Sequence, residues 1–162
     1  MFKIGAEVVY PMHGAGVVES IEAKIIGGQS RDYYNVSLLD GHIRLALPVV
    51  NNGHIQLRSI VSGEKARELL NYFFDLEIDT NAPWGKRFKE NSEDLKTGVP
   101  EKAAEVVKSL MLRERMVGLS TGDRQMLVNA KNIFCSELAM ALKVEIEEIL
   151  EQLQENIDKT VG

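Results

Sequence analysis

The chain has 162 residues, 44% of them hydrophobic and 27% charged, with a formal net charge of −5. That length allows one domain or two small ones and can bury a core without covalent staples. No apolar run approaches the roughly 18 residues of a membrane span. A single cysteine, Cys135, excludes an internal disulfide, and the start "MFKIGAEVVYP" has no basic stretch leading into an apolar one. A reducing cytoplasm is the expected setting.

The charge is unevenly placed. Residues 136–162 hold two cations and seven acids, which is the whole net charge, while residues 1–135 balance to zero. A neutral body argues against tight nonspecific DNA binding, which neutralises many phosphates at once. It leaves room for a local basic patch.

In chain order, the first 60 residues alternate and turn often. The runs "EVVYP", "GVVESIEAKII", "DYYNVSLL" and "HIRLALP" are rich in β-branched and aromatic residues, and "HGAG", "GGQS" and "DGH" between them are turn chemistry. Tyr34, Val36 and Leu38 repeat with period two, as do Ile43, Leu45 and Leu47, so a small twisted sheet or barrel is predicted. From Ser62 the period becomes helical. Ser62 is a predicted N-cap, and Ala66, Leu69, Leu70 and Phe73 form one stripe, ended by "DTNAP". Pro83 is placed to open a second helix that Gly98 closes. Pro100 opens a third, with the stripe Ala103, Val106, Val107, Leu110 and Met111, which Gly118 stops. Ser120 with Asp123 resembles a capping box ahead of a fourth helix carrying Met126, Leu127, Ala130, Ile133, Phe134, Leu138 and Ala141. A last, acidic helix carries Ile146, Ile149, Leu150, Leu153 and Ile157. The expected fold class is α+β: a β domain over residues 1–60 and a helical domain over 61–162.

Enzyme chemistry is poorly supplied. His13, His42 and His54 have no second ligand at metal spacing, so no metal or cofactor is expected. "SGEK" and "KTG" lack the third element of the serine penicillin-binding set, and "HGAG" lacks the lysine and helix of a phosphate loop. Cys135, among Ile133, Phe134 and Leu138, reads as a small core residue. No constellation supplies nucleophile, base and orienting group, and no small-molecule substrate is expected.

The segment "APWGKRFKEN" places the only tryptophan, Trp84, beside Lys86, Arg87 and Lys89. Trp84 and Phe88, four apart, can face a core together with the cations as a solvated rim. Alternatively, Trp84 projects outward as an apolar wedge flanked by cations, suited to unstacking a base step. Local pattern leaves both open.

The stretch "FKIGAEVVYPMHGAGVVESIEAKIIGGQSRDYYNV" closely resembles the start of the CarD (CdnL) family of bacterial transcription regulators. The same module occurs as the RNA-polymerase-interacting domain of the transcription-repair coupling factor. The resemblance continues through "PWGKRFKEN", "KAAEVVKSL" and "RERMVGLSTGDRQMLVNAKNI", covering about residues 2–142. It implies a Tudor-like β domain that docks on the β subunit of RNA polymerase. It also implies a helical domain that touches promoter DNA at the upstream edge of the transcription bubble. On this likeness Trp84 is the minor-groove wedge, and Lys86, Arg87 and Lys89 hold the backbone. Lys24 and Ile26 fall on the polymerase-facing strand. The family's arginine two residues before the strand-ending proline is here Ala46, and Arg44, on the same face, is the candidate to take its place. A polymerase-docking adaptor without DNA contact, recruiting a protein through the acidic last helix, is the other reading.

Overall fold

A computed structural model describes residues 1–39, 43–50, 56–79 and 87–162. The first part is an antiparallel sheet of five strands: β1 (Glu7–Tyr10), β2 (Gly14–Ile26), β3 (Gln29–Leu38), β4 (Arg44–Pro48) and β5 (Arg58–Ser59), in the order β4-β3-β2-β1-β5. Gly27 and Gly28 both have positive φ, +61° and +78°. A two-residue turn of that hand matches the twist of the flanking strands, and it joins β2 to β3 in one long hairpin. An irregularity between Val18 and Ser20 shifts the register.

Alternation sorts the sheet's two faces. Val8, Val18, Tyr34, Val36 and Leu38 turn inward, joined by Phe2, Ile21, Leu45 and Leu47. Tyr34 closes this small core: its hydroxyl accepts from the Phe2 amide at 2.9 Å, and its ring meets Phe2 edge-on. The period-two expectation for residues 34–38 therefore holds. The architecture is a Tudor-like β unit followed by helices, the α+β class expected.

The helices are α1 (Gly63–Asp75), α2 (Arg87–Lys96), α3 (Pro100–Met116), α4 (Thr121–Leu142) and α5 (Ile146–Val161). Their ends follow local chemistry. The Ser62 hydroxyl accepts from the Lys65 amide and that of Ser120 from the Asp123 amide, filling orphan donors of a first helical turn. The Asp123 carboxylate itself lies 3.8 Å from Arg113. Pro100 stands at the start of α3, and Gly98 and Gly118 take positive φ beyond the ends of α2 and α3.

α1 ends at Asp75, before the "DTNAP" expected to break it. A side chain from another helix meets its end. Lys108 of α3 is 2% exposed, and its ammonium donates to the carbonyls of Phe73 (2.6 Å) and Phe74 (3.1 Å). These are among the last four carbonyls of a helix, which have no i+4 partner; that of Phe73 also accepts from the Leu76 amide at 3.4 Å. Burial pushes the Lys108 ammonium below its ordinary pKa, with the Asp75 carboxylate opposing that shift.

One core joins the five helices. It contains all the stripe residues predicted for α1 and α3, and Ile149, Leu153 and Ile157 of α5. α3 is buried more widely than its stripe suggests, with Ala104, Ser109 and Leu112 also inside. Among the described residues no helix is long and apolar enough to cross a membrane.

Cys135 lies in this core with no exposure, and burial pushes its thiol up to about 12. Only the thiolate is a nucleophile. A maleimide at neutral pH should therefore leave the native protein unlabelled and modify it fully in denaturant. Labelling of native protein as fast as of an unfolded chain would contradict the packing.

Candidate functional site

The expected docking residues fall on one face of the sheet. Lys24 pairs with Arg31 and Ile26 with Gln29 across the β2–β3 ladder, while Arg44 pairs with Ser37 across β3–β4. Opposed residues share a face, and Tyr34 and Val36 point the other way into the core. Lys24, Ile26 and Arg44 therefore share the outer face, as does Ala46, opposite Asn35. The Lys24 ammonium sits 5.5 Å from the centre of the Tyr33 ring, a distance at which the ring's negative face attracts a cation. Ile25 and Ile26 at the hairpin tip are 78% and 59% exposed. Arg44 is well exposed and lies 3.8 Å from Glu19, a surface pair worth at most about 1 kcal/mol. Arg44 is six residues along β3 from the rung of Lys24, roughly 20 Å at strand rise. The three residues share a face without forming one cluster.

The other candidate cluster is only partly visible. Trp84 and Lys86 lie outside the described residues, as do Pro83, His42 and His54. Arg87 and Lys89 stand in the first turn of α2; Lys89 is exposed and Arg87 half-buried. Phe88 is 51% exposed. The option in which Trp84 and Phe88 face the core together is not met at Phe88: α2 buries Asn91 and Leu95 instead. The Phe88 ring borders an open groove with Met12, Ser92, Gln125 and Asn129. The first turn of α2 thus carries apolar and cationic groups on an accessible surface.

α4 joins the sheet to the helices, a feature that sequence reasoning missed. The Asn132 amide donates to the His13 carbonyl at 3.0 Å, and the Ser136 hydroxyl accepts from the Ala15 amide at 2.9 Å. Glu137 takes both prongs of the Arg58 guanidinium, at 2.6 and 2.7 Å, and the Val61 amide at 2.9 Å. Arg58 also donates from Nε to the Gly98 carbonyl at 3.0 Å. Val9 and Ala15, on the outer face of the sheet, are buried at this joint. The helices cover one end of the face whose other end carries Lys24 and Ile26. One signal was available: Glu137 is a charge set between the buried Phe134 and Leu138, and buried charges are normally paired.

His13 stacks on Tyr10 with ring centres 5.5 Å apart. Among the described residues no group of three or more histidines, cysteines or carboxylates is placed to hold a metal ion.

Comparison with known proteins agrees with this architecture. Residues 2–61 match the profile of the CarD-like/TRCF RID domain, and residues 68–154 match the CarD C-terminal domain. A protein of Bacillus subtilis (strain 168), named "Putative transcription factor YdeB", is 33% identical over 138 residues, covering 85% of this chain and 90% of its own length. With both profiles matched in order across nearly all of its length, the chain belongs to the CarD family of transcription factors and carries that family's RNA-polymerase-interacting domain.

Proposed function

We propose that this protein docks on the β subunit of RNA polymerase through residues 1–60 and stabilises the open promoter complex through residues 61–162. Lys24, Ile26 and Arg44 contact polymerase on the outer face of the sheet. Trp84 enters the minor groove at the upstream edge of the bubble, while Lys86, Arg87 and Lys89 hold the backbone. The observation that carries this reading is the outward first turn of α2, where Phe88 and Lys89 are exposed immediately after the tryptophan segment.

The charge distribution fits such a division of labour. Docking on polymerase holds the helical part beside DNA at high effective concentration, so a small basic patch suffices and a strongly basic surface is unnecessary. Closed and open complexes interconvert, and a ligand shifts that equilibrium by its differential affinity. A wedge that needs an unstacked step favours the open state. A preference of about 1.4 kcal/mol gives roughly a tenfold shift. Sequence selectivity is low, because backbone contacts carry no base information and the minor groove carries little.

Trp84→Ala should shorten the open-complex half-life several-fold, up to about tenfold, in a purified transcription assay, with polymerase affinity unchanged. Unchanged half-lives would reject the wedge. In that event the exposed acidic face of α5, with Glu147, Glu148, Glu151 and Glu155, favours the adaptor reading.

A further inference from the structure

We propose that Arg58 and Glu137 are positioning residues: their two-pronged ion pair sets the angle between sheet and helices and so decides where the docked protein presents α2 to DNA. This rests on the docking and DNA reading above.

Two segments distant in the chain from β5 converge on the Arg58 guanidinium. Its Nη atoms meet Glu137 of α4, its Nε meets the Gly98 carbonyl at the α2–α3 turn, and Arg58 itself is in β5. Glu137 is 3% exposed and spends its remaining capacity on the Val61 amide, just ahead of α1. Gly98 leaves little room for a side chain, since an added Cβ would lie 3.0 Å from the Pro11 ring. The void bounded by Val9, Pro11, Arg58, Leu95, Gly98 and Glu137 measures about 10 Å³, at or below the room one water needs. A wet or purely apolar joint could slide. A paired planar guanidinium and carboxylate fix direction as well as distance.

The location of the pair separates its role from docking. It lies where α4 covers the sheet, away from the hairpin tip with Lys24 and Ile26. Loosening it leaves the docking face intact and spreads α2 over many positions. The tethered DNA contact then loses effective concentration.

The test uses full-length Glu137→Gln and Arg58→Lys, with Trp84→Ala as a parallel control. Residual dipolar couplings report the orientation of the two parts in the free protein. Polymerase affinity and open-complex half-life are read on one promoter fragment. Glu137→Gln should keep polymerase affinity within about twofold and shorten the half-life at least about threefold, and its couplings should cease to fit a single orientation. Arg58→Lys keeps the charge but loses the fork, and should fall between wild type and Glu137→Gln; it carries the test if Glu137→Gln does not fold. An unchanged orientation in the folded variants overturns the proposal. So does a relaxed orientation with an unchanged half-life while Trp84→Ala shortens it. If Trp84→Ala has no effect either, the DNA reading has failed and with it the role in positioning, whereas the couplings still show whether the pair sets the angle.

Discussion

Phe73→Ala is expected to lower the free energy of unfolding by about 3–5 kcal/mol, the usual cost of emptying a buried aromatic site. Phe73 has no exposed surface. Its ring stacks on Phe134 of α4 with centres 6.1 Å apart and meets Phe74 edge-on at 6.2 Å. The Lys108 ammonium lies 5.3 Å from the ring centre while donating to the Phe73 carbonyl. Truncation therefore removes core packing between α1 and α4. It also strips a buried cation from α3 of a favourable aromatic face. Urea unfolding followed by circular dichroism measures the loss, and Phe73→Leu should recover more than half of it because the volume is largely restored. A loss below about 1 kcal/mol for the alanine variant would mean that the site collapses freely and that Phe73 does not hold these helices together.

Gly14→Ala should cost about 2–4 kcal/mol, from a disfavoured backbone together with displaced hydrogen bonds. Gly14 has φ +95°, and an added Cβ would stand 2.7 Å from the Ser136 hydroxyl and 3.1 Å from the Asn132 side-chain nitrogen. Those two side chains hold the β1–β2 turn to α4. The substitution strains the turn and pushes away the helix that anchors it. Equilibrium unfolding of Gly14→Ala beside Gly5→Ala gives the comparison, because Gly5 also has positive φ but meets nothing within 4 Å. Equal losses in the two variants would show that backbone strain alone, without the approach of α4, explains the cost.

The two sides of the candidate interface were unequally legible. Arg44 and Ala46 could be assigned to one face because strand alternation is local, and the register bears that out. That Lys24 and Ile26 lie on the same face as Arg44 came only from the pairing of β2, β3 and β4. Their separation along the sheet was not legible, since it depends on how far β4 runs along β3. At α2 the sequence offered two orientations for "PWGKRF", and a 3.6-residue period alone cannot say which side a ten-residue helix turns to its neighbours. Phe88 lies outward while α2 turns Asn91 and Leu95 inward, Leu95 into the shared helical core. The resemblance of the motifs supplied the partner class; the physical pattern alone reached only an apolar residue among cations.

What the chain determines by itself is the order of its elements, their inward stripes and most of their ends. Ser62, Pro100, Gly118 and Ser120 act on backbone groups within a few residues, and side-chain periodicity reports burial within one turn or two rungs. Only the tertiary structure decided what meets the end of α1 and how sheet and helices meet. The first depends on Lys108 reaching a carbonyl 35 residues away, the second on Arg58 meeting a carboxylate 79 residues away. Such pairings follow from the packing of whole elements, and no local propensity encodes them.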